Sequence, residues 1–248
     1  MSAPVTYDSL WASKVTWKPR PDAYSYTPLY YDELAEFLGR SIALGLSLEL
    51  PVGSWIAAAT KKELPVSQSA MRVLRSNIGD ESLHFHGFTF LGNAYPHHRQ
   101  YTDEAGRIAV EWGSLSEHEV LKAYTAEAGV FLTGLAFLRL CSDSAGLLAM
   151  HVSADEQRHV ATNAGVLVDL GMSNNRLPDV PASLKRLQRE TLDWLFGGFS
   201  MPSWGIDGNW IQEQAHLLLT QGHAPELADL TDVATYMPPF ENANSSMY

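Results

Sequence analysis

The sequence predicts an all-α protein: four long helices paired in two antiparallel hairpins, with one long crossover between the pairs. Apolar residues recur at helical spacing through four long stretches, and no stretch alternates apolar and polar residues as a half-buried strand would. Short breaks fall near residues 64 and 142, and one long break lies between 94 and 113. One five-residue word occurs twice, as Asp80-Glu81-Ser82-Leu83-His84 and Asp155-Glu156-Gln157-Arg158-His159. Its Glu and His are three apart, which on a helix puts both on one face.

Residues 1–31, rich in Pro, Tyr and Trp, read as an extended arm that packs on the folded body. The first long helix opens at Tyr31-Asp32-Glu33 and runs to about Lys62, with Leu38, Ile42, Leu46, Glu49 and Ile56 on one face. Pro51 lies inside it and frees a backbone carbonyl, so a bend or bulge is expected there. Pro65 suits the first turn of the second helix, which ends near Asn93 and turns Leu74, Ile78, Glu81, Phe85 and Phe88 inward. Residues 94–113 mix Gly, Pro and charges without a steady period and read as the crossover, with His97 and His98 in solvent. Ser114 or Ser116 can cap the third helix, with Glu117 and Glu119 in its first turn. Its inner face carries Val120, Tyr124, Glu127, Phe131, Gly134 and Leu138. A break at Cys141-Ser142-Asp143 leads to the fourth helix, which ends at Gly171. The four-helix unit thus spans 32–171. Residues 172–248 add helices over 183–196 and from Asn209 to Thr220, packed on the unit, and a loose tail from Pro238.

Composition narrows the function. Hydrophobic residues make up 46% of the 248 and charged residues 18%, the balance of a globular protein with a sizeable core. A net charge of −11 argues against nucleic acid as a partner, because that recognition needs a basic surface. The single cysteine, Cys141, rules out an internal disulfide and a thiolate metal cluster, which favours the cytoplasm. Neither a signal peptide nor a membrane span is expected, since no 18 residues run apolar without polar interruption.

The repeated word carries the chemistry. With 15 Glu, 13 Asp and 9 His in the chain, random order would give only about 0.03 Asp-Glu-x-x-His words. On one helix face, each Glu can share a metal ion with its His. Two further ligands follow from levels along the hairpins. Glu49 lies 15 residues before the turn near 64 and Glu81 lies 17 after it; Glu127 lies 15 before the turn near 142 and Glu156 lies 14 after it. At about 1.5 Å per residue, each pair is level to within a few ångström. Glu36 and Glu117 fail this test. Glu49 and Glu127 also sit among apolar or small neighbours, where a carboxylate must be paired or hold a metal. Four Glu and two divalent ions are neutral together. Asp80 and Asp155 are placed to accept the outer ring N–H of each other's histidine. Tyr124, one turn before Glu127, is a candidate for a hydrogen-bonding or redox role beside the site. Glu213-Gln214-Ala215-His216 lacks the preceding Asp and a partner helix, and is not expected to bind metal. Gly45, Gly53 and Gly134 on inner faces either leave room for a substrate or serve close helix packing.

These residues resemble the ferritin-like di-iron carboxylate proteins, a superfamily that includes di-iron oxygenases and ribonucleotide reductase small subunits. Asp155-Glu156-Gln157-Arg158-His159 is similar to the fourth-helix motif of bacterial multicomponent monooxygenases and acyl-carrier-protein desaturases. The resemblance covers residues 32–171. It implies one ion on Glu49, Glu81 and His84, a second on Glu127, Glu156 and His159, and Glu81 and Glu156 as bridges. Two Fe ions are the implied cofactor, with a Mn/Fe pair as the alternative. The implied activity is an O2-dependent oxidoreductase, a monooxygenase first, acting on a small organic substrate, with an electron-donor protein as a further partner and a homodimer as the expected assembly. Two other readings use the same ligands: a ferroxidase or iron-storage protein, and a radical-generating subunit of a larger oxidoreductase. The last is weakened by Phe88, which stands where radical-forming subunits often carry Tyr.

Overall fold

The computed structural model describes residues 5–174 and 177–231, and these are all-α apart from one antiparallel pair of two-residue strands, β1 (Ser173–Asn174) and β2 (Leu177–Pro178). The arm is not wholly extended. It opens with a short helix α1 (Tyr7–Ala12), started by a capping box in which Thr6 and Ser9 satisfy each other's backbone N–H.

The first long hairpin follows. Helices α2 (Ala35–Thr60) and α3 (Gln68–Ala94) pack along each other, so the short connection between them turns the chain back. Helix α3 begins three residues later than Pro65 suggests, because Ser67 takes the cap and accepts from the Ala70 amide. Pro51 is carried inside α2 with no change of helix type.

The crossover holds more structure than its composition implies. After a 3-10 turn over Pro96–Tyr101 comes α4 (Thr102–Ser114), packed on α2. Ala105 and Trp112 are buried in it, and Ile108 and Ala109 pack half-buried against the core. That is helical spacing, at i, i+3, i+4 and i+7, in a segment whose Gly and charged residues hide it. His98 is likewise buried, its Nδ1–H donating to the Tyr95 carbonyl, while His97 remains exposed.

The third long helix is capped by His118, whose Nδ1 accepts from the Val120 amide, rather than by Ser114 or Ser116. Glu117 therefore precedes the helix, where Ser183 Oγ donates to it. The helix runs as α5 (Glu119–Ala126), a π turn over Glu127–Phe131, and α6 (Leu132–Arg139). The bulge foreseen at Pro51 is thus found instead at Glu127. Ser142 caps α7 (Asp143–Asp169), and Gly171, at φ 70°, ends it in the left-handed region that glycine tolerates. Helix α7 packs on α3, α5 and α6.

Helices α8 (Ala182–Phe196) and α9 (Gly208–Gln221) close over the third helix, followed by α10 (Pro225–Thr231) against α6. The tail expected from Pro238 lies outside the described residues. Among the described residues, two segments could cross a membrane by length and composition, Asp32–Thr60 and Glu119–Arg139. The apolar window of the second is 100% buried inside the protein and that of the first 61%, so helix packing accounts for their apolar character.

Candidate metal centre

Glu49 of α2, Glu81 and His84 of α3, Glu127 at the head of the π turn, and Glu156 and His159 of α7 converge in the interior. Each is 1% exposed or less. Their donor atoms form two groups that could each hold a cation: Glu49, Glu81, His84 and Glu156 in one, and Glu81, Glu127 and His159 in the other. Glu81 belongs to both. Glu156, expected as the other bridge, lies in the first group, and its second oxygen is 3.6 Å from His159 Nδ1.

Both imidazoles point Nδ1 inward. His84 Nδ1 lies 3.2 Å from Glu156 Oε1, 3.3 Å from Glu49 Oε2 and 3.7 Å from Glu81 Oε2. His159 Nδ1 lies 3.0 Å from Glu81 Oε1 and 4.0 Å from Glu127 Oε1. Both rings point Nε2 outward, and here the two halves cross over. His84 Nε2 meets Asp155 Oδ2 at 3.3 Å, and His159 Nε2 meets Asp80 Oδ2 at 3.3 Å. A carboxylate on the far nitrogen fixes the tautomer that leaves Nδ1 free to ligate.

The donor set fits metal for two reasons. First, Glu49 Oε1, both oxygens of Glu81 and of Glu156, Glu127 Oε1 and His159 Nδ1 are buried without an aligned hydrogen bond. Buried polar atoms rarely go without partners, and a cluster of carboxylate oxygens facing one another is strongly repulsive unless a cation sits between them. Second, the outer charges are already balanced. Arg158 donates through Nη2 to Asp80 and, at 3.3 Å, to Asp155, and Lys14 Nζ lies 2.8 Å from Asp80. Two aspartates are matched by two basic side chains, so the four glutamates are left to be balanced within the cluster, by protons or by two divalent cations.

Left to themselves, the groups share protons unevenly. Burial pushes the Glu49 and Glu127 carboxyls well above the usual carboxylate range, and Glu81 and Glu156 add to this against the pull of His84 and His159. Burial opposes the Glu81 carboxylate too, yet the adjacent His159 and His84 imidazoles hold it low. Burial also works against imidazolium at His84 and His159. Glu49, Asp155 and Glu156 nevertheless raise His84 well above the ordinary histidine value, and Asp80, Glu156 and Glu81 do the same for His159. Asp80 and Asp155 resist burial and stay ionised, Asp80 beside His159, Lys14 and Arg158, and Asp155 beside His84 and Trp17.

Four contributors escape a reading of the sequence. Arg158 occupies a variable position of the repeated word and donates to Asn77 Oδ1 at 2.8 Å besides the two aspartates. The signal was charge: two buried aspartates require a cation near them. Asn163, seven residues after Glu156 on the same face, donates to Glu127 Oε2 at 2.6 Å. Lys14 and Trp17 reach the site from the arm, and no spacing rule connects them to it. Trp17 Nε1 donates to Asp155 Oδ2 at 2.7 Å.

The other candidates fall elsewhere. Tyr124 is fully buried one turn before Glu127, and its hydroxyl donates to the Leu219 carbonyl at 3.3 Å. Glu213 and His216 are both exposed. Gly45 and Gly53 serve close packing rather than open space: a Cβ at Gly45 would stand 2.5 Å from the Phe88 ring, and one at Gly53 would stand 3.1 Å from Glu81 Cβ. Gly134 is packed as well, a Cβ there standing 3.2 Å from Leu195 Cδ2, and it borders a narrow apolar cleft with Ser41, Leu44, Phe88, Val130 and Phe131.

The fold and the site together define a helical protein with a buried glutamate–histidine cluster whose donor atoms could hold a metal ion. Comparison with protein-family models, with curated proteins and with solved structures finds no match to this chain.

Proposed function

We propose that the chain is a ferritin-like di-iron carboxylate protein, an O2-activating oxygenase or oxidase that acts on a small organic substrate in the cytoplasm. In this reading α2, α3, the α5–α6 helix and α7 are the four-helix bundle, and α4 lies in its long crossover. The observation that carries it is the pair of donor groups hinged on Glu81, with imidazole Nδ1 atoms and unpartnered carboxylate oxygens turned inward.

Each residue has a defined task. Glu49, Glu81, His84 and Glu156 would hold one cation, and Glu127 and His159, with Glu81 shared, the other. Bound iron would supply electrons to O2 and act as a Lewis acid. Carboxylates suit hard cations and can turn from one-oxygen to two-oxygen binding, which opens a position without moving a helix. Asn163 holds one Glu127 oxygen in place and leaves the other to face inward. The apolar wall of Leu44, Phe88, Val130 and Phe131 lies one turn beyond Glu49, His84 and Glu127 and keeps water from that side. The cleft behind it has about 20 Å3 of free volume, room for one molecule the size of water or O2. A substrate larger than that would enter from this side with Phe88 or Phe131 turned aside.

Anaerobic loading with Fe(II), metal counting and exposure to O2 under optical spectroscopy test the assignment. Two equivalents bound and O2 consumed, with iron staying near two per chain in excess Fe(II), support it. Repeated turnover of Fe(II) into a mineral inside a large hollow assembly supports the iron-storage reading instead.

A further inference from the structure

Lys14 and Trp17, three residues apart in the arm, end on different outer aspartates. Lys14 Nζ contacts Asp80 at 2.8 Å and donates to the Ser76 carbonyl at 3.3 Å, both on α3. Trp17 Nε1 donates to Asp155 on α7 at 2.7 Å. Asp80 in turn holds His159, and Asp155 holds His84. The arm therefore touches each half of the centre through one side chain.

Trp17 is built into its place. Its ring stacks on His151 at 4.9 Å between centroids and 9° between planes, and lies nearly parallel to His84 at 6.2 Å. Gly87 of α3 lies beside the indole edge, where a Cβ would be in ordinary contact with Trp17 at 3.6 Å but would collide with Leu148. The rest of the arm has separate anchors. Tyr7 Oη donates to Asp169 at 2.8 Å, and Asp8 accepts from Arg72 at 2.8 Å and from Ser69 at 3.0 Å. A conservative change at position 14 or 17 leaves those anchors in place.

We propose that the N-terminal arm is a clamp on the metal centre, in which Trp17 and Lys14 are positioning residues for separate cations. Trp17 fixes Asp155 and through it His84; Lys14 fixes Asp80 and through it His159. The proposal rests on the two-cation reading above. Losing an outer partner of a ligating histidine costs about 10- to 100-fold in metal affinity, and a residue one step further out is expected to cost about 3- to 10-fold. The effect must be selective. Trp17 bears on one cation and Lys14 on the other.

The test is release of Co(II) from the full-length protein into excess chelator, followed by the Co(II) absorption bands. Wild-type protein loaded with two equivalents releases them in phases that Asp155→Asn and Asp80→Asn assign to the His84 and His159 sides. Trp17→Phe keeps the ring and removes the donor. It should speed the Asp155-sensitive phase about 3- to 10-fold and leave the other within about 2-fold. Lys14→Met should do the converse, and Lys14→Arg, which keeps charge and donor, should restore wild-type rates. Equal acceleration of both phases in Trp17→Phe and in Lys14→Met is what general loosening gives, and it overturns the clamp, as does no change in either. A wild-type chain that binds no Co(II) overturns the two-cation reading itself, an outcome distinct from two bound equivalents and indifferent variants.

Discussion

His84 Nε2 lies 3.3 Å from Asp155 Oδ2, a carboxylate 71 residues away on the opposite hairpin, and His159 stands in the same relation to Asp80. Each histidine is thus oriented by the aspartate that precedes the other half's glutamate. The two repeats of Asp-Glu-x-x-His are interlocked, each supplying the carboxylate that faces the other's outer imidazole nitrogen.

Asp155→Asn keeps the shape and removes the charge that raises imidazole basicity. Metal affinity should fall about 10- to 100-fold, with the loss concentrated on the cation held with His84. Competition titration against a chelator of known affinity measures it. Unchanged affinity would mean that Asp155 does not govern His84.

Glu127 and Glu117 separate the buried site from its surroundings. Glu127 is fully buried with one oxygen turned inward, whereas Glu117 lies before α5 and pairs with Ser183. Glu127→Ala should lose about one equivalent of metal and O2 reactivity, while Glu117→Ala should keep both. Metal counting on the two variants decides it, and equal losses would place the wrong glutamate at the site.

The pH dependence of stability has a defined sign. His84 and His159 have folded values raised above their unfolded ones, so their stabilisation is complete below about pH 6.5 and fades as pH rises through the folded values. Glu49 and Glu127 are raised too and act in the same direction, starting from about pH 4.3. Asp80, Asp155 and Glu81 are lowered, and their contribution is lost only as pH falls below about 4. Chelator-treated protein should therefore melt at lower temperature at pH 9 than at pH 6. Metal binding must displace those protons, so the stabilisation it adds should grow over the same range. Melting curves with chelator and with added metal test both halves. A chelator-treated Tm that rises toward pH 9 contradicts the charge assignment.

Gly45 distinguishes packing from chemistry. Gly45→Ala drives a methyl into the Phe88 ring and should destabilise the fold by about 1 to 3 kcal/mol, while leaving metal stoichiometry unchanged. Chemical denaturation and metal counting read the two effects separately.

The sequence carried the site's centre better than its edges. Glu81, His84, Glu156 and His159 declare themselves by spacing within one helix, and Glu49 and Glu127 by their levels along two short-turned hairpins. Arg158, Asn163, Lys14 and Trp17 do not, because they meet their partners through tertiary contact; Trp17 and Asp155 are 138 residues apart. Helix α4 was hidden for a local reason. Its four core-facing residues keep helical spacing, but Gly106, Gly113 and a run of charges lower the apolar signal around them. The π turn at Glu127 has no marker like Pro51, which pointed to the wrong helix; the extra residue per turn there re-aims side chains beside the carboxylate cluster.

The most direct test is the number of cations per chain. Protein reconstituted anaerobically with Fe(II), freed of loosely bound metal and analysed for elements should hold close to two equivalents, because two buried donor groups are present to take the ions and the four glutamates balance two divalent charges once their protons are displaced. A folded wild-type chain that stays below half an equivalent would contradict the account.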